Sequence, residues 1–219
     1  MNERTAVLFD FGGVITTSPF EAFARLEAER GLPAGLIRRI NATDPDGNAW
    51  ALFERAEIDA AAFDTRFAEE ARALGHALRG EDVLAVLVGD IRPGMVRALD
   101  RLVALRFRIG CITNNVPSGD GPGMARDPAK AALLADVLAR FEVVVESSVE
   151  GVRKPDPLIY AIACERLGVA PETCVFLDDL GVNCKGAAGL GMAAIKVTGE
   201  RQALGELEQV LGMESGSLS

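Results

Sequence analysis

The chain has 219 residues, of which 49% are hydrophobic, so it is long enough for one large domain or for a core with an inserted subdomain. Its formal net charge of −9 argues against a nucleic-acid-binding surface, which normally shows as a basic patch or stripe. No apolar window approaches the roughly 18 to 20 residues of a membrane span, and no N-terminal apolar stretch follows a basic region. We therefore expect a cytoplasmic protein that binds neither nucleic acid nor membrane, while its oligomeric state is not predicted.

The first predicted element is a short apolar strand over residues 6–9 that runs directly into Asp10 and, after one phenylalanine, a pair of glycines. A carboxylate at the carboxyl end of a buried parallel strand lies where ligands bind in open α/β sheets. Asp10 is therefore the first candidate for chemistry, provided that later elements supply partners for it.

Residues 16–88 carry no strand pattern and are predicted to be helical. A serine-proline pair at Ser18 starts one helix that Gly31 ends, and Asp59 precedes another. We expect this insertion to stand over the strand ends, where it would exclude water and select the substrate, or else to be a bundle that only covers the sheet. Its polar loop over residues 41–48 is expected to turn between helices rather than to reach the site.

The second half of the chain alternates apolar runs with helical patterns, which indicates an α/β fold with a parallel sheet covered on both faces. The predicted strands are residues 107–112, 141–145, 174–177 and 193–197. One helix is delimited by Asp156 as its N-cap and Gly168 at its end, and another is expected from about Asn183 to Gly191. Residues 214–219 are expected to form a loose tail.

Polar residues follow two of these strands and open one later helical segment. Thr113 and Asn114 follow the second strand, Lys154 precedes a helix, and Asp178 and Asp179 follow the fourth strand. Two adjacent carboxylates repel each other unless a cation or protonation relieves them, and Mg²⁺ held by oxygen ligands is the natural remedy. A lysine can both balance carboxylates and bind a phosphoryl oxygen. With the aspartate of the first strand as a nucleophile, these are the parts needed for phosphoryl transfer through an aspartyl-phosphate.

The cysteines and the single histidine are not expected to take part in the chemistry. None of the four cysteines has the paired spacing of a zinc site, so all are expected to be buried and reduced. For Cys184, a position near a predicted helix start would lower the pKa of the thiol. His76 lies in a predicted helical stretch far from the polar clusters, which argues against a serine or cysteine triad.

At these positions the sequence resembles the haloacid dehalogenase-like superfamily, in the subgroup with an α-helical cap between the first two motifs. The four motifs are Asp10-Phe-Gly-Gly-Val, Thr113-Asn114, Lys154-Pro-Asp-Pro and Phe176-Leu-Asp178-Asp179. The stretch over residues 154–197 is also similar to the N-terminal phosphatase domain of soluble epoxide hydrolase. The resemblance implies a three-layer Rossmann-like parallel sheet core over residues 1–15 and 89–213, with an inserted α-helical cap over residues 16–88.

The resemblance further implies a Mg²⁺-dependent phosphatase that acts on a small phosphorylated metabolite. Asp10 would be the nucleophile. Thr113 and Asn114 would hold the phosphoryl oxygens, and Lys154 would pair with Asp10 and with the phosphate.

The metal ligands that the resemblance implies are Asp10, the backbone carbonyl of Gly12, and Asp179, with Asp178 bound through water or beside the ion. Gly12 also departs from the pattern, because most phosphatases of this superfamily carry at this position a second aspartate that protonates the leaving group. A missing general acid costs roughly 10²–10⁴-fold for a poor leaving group and much less for a good one. We therefore expect the better substrates to be anomeric sugar phosphates or acyl phosphates.

Two alternatives remain open. A regulatory module with little turnover would keep the metal and phosphate site and bind phosphate esters without releasing product. A 2-haloacid dehalogenase would use Asp10 to attack a carbon that bears chloride, but the dehalogenases of this superfamily need no metal, and the pair Asp178–Asp179 would then have no explanation. The glycine-rich loop over residues 118–123 is expected to be a mobile rim of the cleft.

Overall fold

A single sheet of five parallel strands forms the centre of the molecule, in a computed structural model that describes residues 3–117, 124–125 and 127–218. The strands are β1 (Ala6–Phe9), β2 (Arg108–Thr113), β3 (Val143–Glu146), β4 (Cys174–Asp178) and β5 (Ala193–Lys196). Their order across the sheet is β3-β2-β1-β4-β5. Each strand lies where an apolar run predicted one, and the predicted α/β fold class is confirmed.

Helices fill the intervals between the strands throughout the described ranges. They are α1 (Pro19–Glu29), α2 (Leu36–Ala42), α3 (Ala49–Glu54), α4 (Ala60–Ala73), α5 (Gly80–Ala85), α6 (Pro93–Ala104), α7 (Pro128–Leu138), α8 (Ser147–Glu150), α9 (Pro157–Leu167), α10 (Gly181–Gly189) and α11 (Glu200–Leu211). No helix among the residues described is both long enough and apolar enough to cross a lipid bilayer.

The sheet is covered on both faces, because alternate residues of each strand point to opposite sides. Val7 and Phe9 of β1 belong to a hydrophobic cluster with residues of α6, α7 and α11. Ala6 and Leu8 belong to the cluster on the other face, with residues of α9 and α10. The result is the predicted three-layer core.

Local end signals place α9 as predicted, whereas α10 begins earlier than expected. The side chain of Asp156 caps α9 by accepting a hydrogen bond from the backbone N–H of Leu158, and Gly168 ends the helix in a left-handed conformation. Helix α10 begins at Gly181, two residues before the predicted start at Asn183.

Helices α1 to α5 form the helical insertion between β1 and α6 and have a hydrophobic cluster of their own. Buried phenylalanines such as Phe53 and Phe63 stack at its centre, and Val116, from the segment after β2, packs into the same cluster. The loop over residues 41–48 turns between α2 and α3 as expected, since Asn48 caps α3 by accepting a hydrogen bond from the N–H of Ala51.

The turn over residues 214–218 is hydrogen-bonded to α11 and ends in a buried leucine, so the prediction of a loose tail is wrong there, although residues 214–216 are exposed. The buried Glu208 accepts hydrogen bonds from the backbone N–H groups of Gly216 and Leu218. The Leu218 side chain is 1% exposed and joins the main core cluster. The loop over residues 118–123, predicted to be a mobile rim, lies outside the described residues.

Candidate active site

The candidate site lies at the carboxyl end of the sheet, where the strand order reverses around β1. This is the position at which open α/β sheets bind ligands. Phe9 of β1 pairs with Leu177 of β4, so the next residues, Asp10 and Asp178, leave the two strands side by side. The N–H of Asp10 donates to the carbonyl of Leu177 at 2.8 Å, which fixes the start of the loop that follows.

Lys154 joins the ends of three strands through its ammonium group. Its Nζ lies 2.8 Å from Oδ1 of Asp10, 2.7 Å from Oδ2 of Asp178 and 2.8 Å from the carbonyl oxygen of Ile112. The residue is 1% exposed, and burial alone would lower its pKa, but the two carboxylates raise the pKa above its usual value. The ammonium group therefore remains charged inside the site.

The carboxylates outnumber the positive charges at this point. Oxygen atoms of Asp10, Asp178 and Asp179 all lie within 4.8 Å of one another. Burial raises the pKa of Asp10 well above its usual range, and the charges of the other two aspartates add to this effect against the pull of Lys154. Burial and the charge of Asp178 likewise raise the pKa of Asp179. A cluster of hard oxygen donors with excess negative charge fits a divalent cation such as Mg²⁺.

The two adjacent aspartates have different surroundings. Both carboxylate oxygens of Asp178 accept hydrogen bonds, from Lys154, from the N–H of Leu180 and from the side-chain amide of Asn183. Asp179 accepts a side-chain hydrogen bond from Ser18, at 2.9 Å. Asp179 therefore has fewer hydrogen-bond donors around its carboxylate than Asp178 has.

The two glycines after Asp10 differ in whether the structure requires a glycine at that position. Gly12 has φ −69° and ψ 126°, which any residue can adopt, and an added Cβ there would have no atom within 4 Å. Gly13 has φ +82°, and an added Cβ would collide with the carboxylate of Asp179. Gly13 is therefore required for the close approach of Asp179 to the loop.

Asn114 holds the backbone of Lys154. Its side-chain amide donates to the carbonyl of Lys154 at 3.0 Å and accepts from the N–H of Lys154 at 2.8 Å. The oxygen and one N–H of the Asn114 side chain, a residue expected to hold the phosphoryl oxygens, are thus engaged within the protein. The hydroxyl of Thr113 makes no hydrogen bond with any residue that the structure describes.

Sequence analysis missed Ser18, Gly13 and Asn183 as parts of the site. Ser18 was assigned only to a helix start and Asn183 only to the beginning of α10. Their contacts with the aspartates depend on how the helical insertion and α10 pack against the strand ends. The second glycine after Asp10 was the one available signal, because a glycine pair after a strand often marks a close backbone approach.

His76 lies apart from this cluster, whereas the thiol of Cys184 lies 3.5 Å from the backbone carbonyl oxygen of Asp178. His76 follows the end of α4 and lines a cavity within the helical insertion. All four cysteines are buried and free. The prediction for Cys184 is wrong, because burial raises the pKa of its thiol to about 11, with the charge of Asp178 acting in the same direction.

Comparison with known proteins identifies relatives of the whole folded unit. A family model described as haloacid dehalogenase-like hydrolase matches residues 5–191. Acyl-CoA dehydrogenase family member 10 of Mus musculus is 32% identical over 212 residues, which cover 94% of this chain and 19% of that protein. Bifunctional epoxide hydrolase 2 of Sus scrofa is 29% identical over 220 residues, which cover 95% of this chain and 39% of that protein. The chain therefore spans less than half the length of these two relatives.

One relative of similar length and one solved structure complete the comparison. Phosphatase MT3486 of Mycobacterium tuberculosis is 32% identical over 205 residues, which cover 88% of this chain and 87% of that protein. An enzyme of the same family from Bacteroides thetaiotaomicron, solved in complex with magnesium and inorganic phosphate, superimposes with a TM-score of 0.58 at 20% identity. That match covers 88% of this chain and 93% of the other, and it shows that the two share a fold.

Proposed function

The chain belongs to the haloacid dehalogenase-like hydrolases, and from this we propose that it is a Mg²⁺-dependent phosphatase that hydrolyses a small phosphorylated metabolite through an aspartyl-phosphate on Asp10. The observation that carries the proposal is the position of Asp10. Its carboxylate lies at the switch point of the sheet, held by Lys154 and beside two further aspartates.

The attacking atom follows from the contacts of this carboxylate. Oδ1 of Asp10 accepts hydrogen bonds from the N–H of Phe11 at 2.7 Å and from Lys154, so Oδ2 is the oxygen left for the phosphorus atom. Attack forms the Asp10–phosphoryl bond and breaks the bond between phosphorus and the leaving oxygen, which then takes a proton from water. Water subsequently hydrolyses the acyl phosphate and restores the carboxylate. Lys154, the hydroxyl of Thr113 and the backbone N–H of Asn114 would bind the phosphoryl oxygens.

Bound Mg²⁺ would neutralise the negative charge that the phosphoryl group brings to the carboxylates. Asp10, Asp179 and the backbone carbonyl of Gly12 would be its protein ligands, with Asp178 beside the ion or bound through water. The hydrogen bonds that occupy both oxygens of Asp178 favour this division. The complex of the structural relative with magnesium and inorganic phosphate supports the same pairing of ion and ligand.

The helical insertion would act as the cap over the site, with residues 16–88 as the cap, residues 1–15 and 89–213 as the catalytic core, and residues 214–219 as the chain end. An antiparallel bridge between Thr16 and Ile91 joins the two connections between these parts. Such a cap would keep water from the aspartyl-phosphate and contact the leaving group.

The substrate class follows from Gly12. With no carboxyl group there to protonate the leaving oxygen, turnover would favour substrates with good leaving groups, such as anomeric sugar phosphates and acyl phosphates. The open space beside Gly12 would be available to the leaving group of such a substrate. The mycobacterial relative that is named a phosphatase supports the reaction type.

The test is the release of inorganic phosphate from a panel of phosphate esters, with Mg²⁺ and with a chelator, by the wild type and by Asp10→Asn. We expect release that needs the metal and that falls to background in the variant, because an amide cannot form the aspartyl-phosphate. The matched control is Asp136→Asn, which changes the same functional group on an aspartate that is 75% exposed on α7.

Two results would contradict the proposal. Tight binding of phosphate esters and Mg²⁺ without any release would favour the regulatory module. Metal-independent release of chloride from a 2-chloroacid would favour the dehalogenase.

A further inference from the structure

A charged pair connects the helical insertion to the segment that carries Lys154. Helix α3 of the insertion lies against α8 of the core, and Oε2 of Glu54 lies 3.0 Å from Nε of Arg153. Arg153 also donates through Nη1 to the carbonyl of Pro45, in the turn before α3, at 3.1 Å. The Glu54 side chain is 9% exposed, so this contact is largely shielded from water.

Arg153 directly precedes Lys154 in the chain, and the backbone of Lys154 is held on its other side by Asn114. The only polar side-chain contacts of Arg153 in the residues described are with the helical insertion. A shift of α3 would therefore be transmitted to Arg153 and, through one peptide bond, to the lysine that lies between Asp10 and Asp178.

The electrostatics of Glu54 support the same connection. Burial raises the pKa of the Glu54 carboxyl group, and the charge of Arg153, the hydrogen bond from Trp50 and the charge of Lys154 oppose this rise. The carboxylate therefore interacts with the catalytic segment over more than one residue. Removal of the Glu54 charge would change the electrostatic environment of Lys154 as well as that of Arg153.

The Glu54–Arg153 contact is a charge contact rather than a directed hydrogen bond. Although the two atoms are 3.0 Å apart, neither Oε2 of Glu54 nor Nε of Arg153 has a well-formed hydrogen-bond partner. By contrast, the indole N–H of Trp50 donates to Oε1 of the same carboxylate at 2.9 Å, within the insertion. Trp50 thus holds Glu54 within the insertion by a hydrogen bond, and Glu54 interacts electrostatically with Arg153 of the core.

We propose that Glu54 and Arg153 are a positioning pair that fixes α3 against the Lys154 segment and so keeps Lys154 aligned with Asp10 during phosphoryl transfer. This inference rests on the proposed phosphatase function and adds to it two residues that do not touch the reacting atoms. It assigns to the insertion a second task beyond covering the site.

The test compares Glu54→Gln, Arg153→Met and the double variant in steady-state kinetics. Each single change is expected to lower kcat about 10-fold with little change in KM, because the pair acts on alignment and not on substrate affinity. The double variant is expected to be no slower than the slower single variant, since both changes break the same contact. Arg153→Lys, which keeps the charge, is expected to recover part of kcat.

The control is a second ion pair within the insertion, between Arg30 and Asp82 at 2.7 Å. Asp82→Asn is expected to leave kcat unchanged. A lower thermal stability of the single variants with unchanged kcat, or losses that add in the double variant, would overturn the positioning pair.

A second readout does not depend on turnover. Trp50 is the only tryptophan, and Arg153→Met leaves its hydrogen bond to Glu54 in place. Acrylamide quenching of Trp50 fluorescence is expected to rise in Arg153→Met and to stay at the wild-type level in Asp82→Asn; an unchanged quenching in Arg153→Met would overturn the inference.

Failure of the wild type to release phosphate from any ester would overturn the proposed function, whereas release that is insensitive to both single changes would overturn the positioning pair alone.

Discussion

At the scale of single residues, Gly12 gives the sharpest prediction, because its backbone is ordinary and the space beside it is open. Gly12→Asp is expected to fold normally and to place a carboxyl group next to Asp10. If protonation of the leaving oxygen limits turnover, kcat for simple alkyl phosphates rises by up to roughly 10²-fold, while acyl phosphates gain little. The ratio of the two rates measures the effect.

Gly12→Asn is the matched control, since it fills the same space without an ionisable proton and is expected to give no gain. An equal gain in the asparagine variant would show that the side chain acts by filling space. The neighbouring Gly13 is different in kind. At Gly13, an alanine would have to adopt a left-handed backbone conformation and would clash with Asp179. Gly13 therefore does not tolerate substitution, whereas Gly12 does.

The order of the motifs along the chain indicated that Asp10, Thr113 and Asp178 lie near one another, because strand ends of a parallel sheet share one edge. The pairing of Lys154 with Asp10 was implied by the family resemblance, and the equally short contact of Lys154 with Asp178 was not predicted. The side-chain amide of Asn183, in the first turn of α10, donates hydrogen bonds to the same carboxylate. Sequence patterns do not specify such side-chain hydrogen bonds between elements.

At the scale of elements, Glu208 near the end of α11 binds the C-terminal residues by hydrogen bonds. Removal of residues 214–219 takes away the buried Leu218 and the two N–H groups that Glu208 accepts from. Loss of one buried leucine and of the partners of a buried carboxylate is expected to lower the free energy of unfolding by about 2–4 kcal/mol. Urea denaturation of the truncated and full-length chains measures this difference.

A point variant separates the contribution of the Leu218 side chain to stability from that of the other residues removed by the truncation. Leu218→Ala is expected to account for more than half of the loss, and Leu133→Ala, at a leucine that is 61% exposed on α7, for almost none. Equal midpoints for the truncated and full-length chains would show that the packed end contributes nothing to stability.

The elements that sequence patterns predicted well are those with local signals. Helix α9 has its cap, its proline and its terminal glycine within a few residues of sequence, and the strands are continuous apolar runs. Helix α3 has six residues and too few turns for a helical period to be visible. The packed end was missed because its anchor, Glu208, lies in a different element and its sequence looks like a polar tail.

At the scale of the whole molecule, several contacts attach the helical insertion to the core. The bridge between Thr16 and Ile91 joins the connecting segments, Val116 packs into the hydrophobic cluster of the insertion, and Glu54 contacts Arg153. These contacts place the insertion above the carboxyl ends of the strands. The molecule thus combines a parallel sheet whose strand ends carry the carboxylates with a helical insertion that has a hydrophobic cluster of its own.

From this arrangement we expect the stability of the whole chain to increase when a divalent cation binds. Three clustered carboxylates and one lysine leave the site with excess negative charge, and an ion that binds only the folded state stabilises it by mass action. At a Mg²⁺ concentration of about 100 times Kd the gain is about 2.7 kcal/mol, which raises Tm by roughly 5–10 °C in a chain of this size.

In the metal-free protein, replacing Asp178 or Asp179 by asparagine is expected to shift Tm in opposite directions. Asp179→Asn removes one repelling charge, so it raises the Tm measured with a chelator and abolishes the gain from Mg²⁺. Asp178→Asn removes a partner of the buried Lys154, so it lowers the Tm measured with a chelator. Thermal denaturation with Mg²⁺ and with chelator tests both, with Asp136→Asn as the variant that should keep the wild-type response. Equal behaviour of the two variants would mean that Asp178 serves the ion as directly as Asp179 does, against the division of roles that their hydrogen bonds indicate.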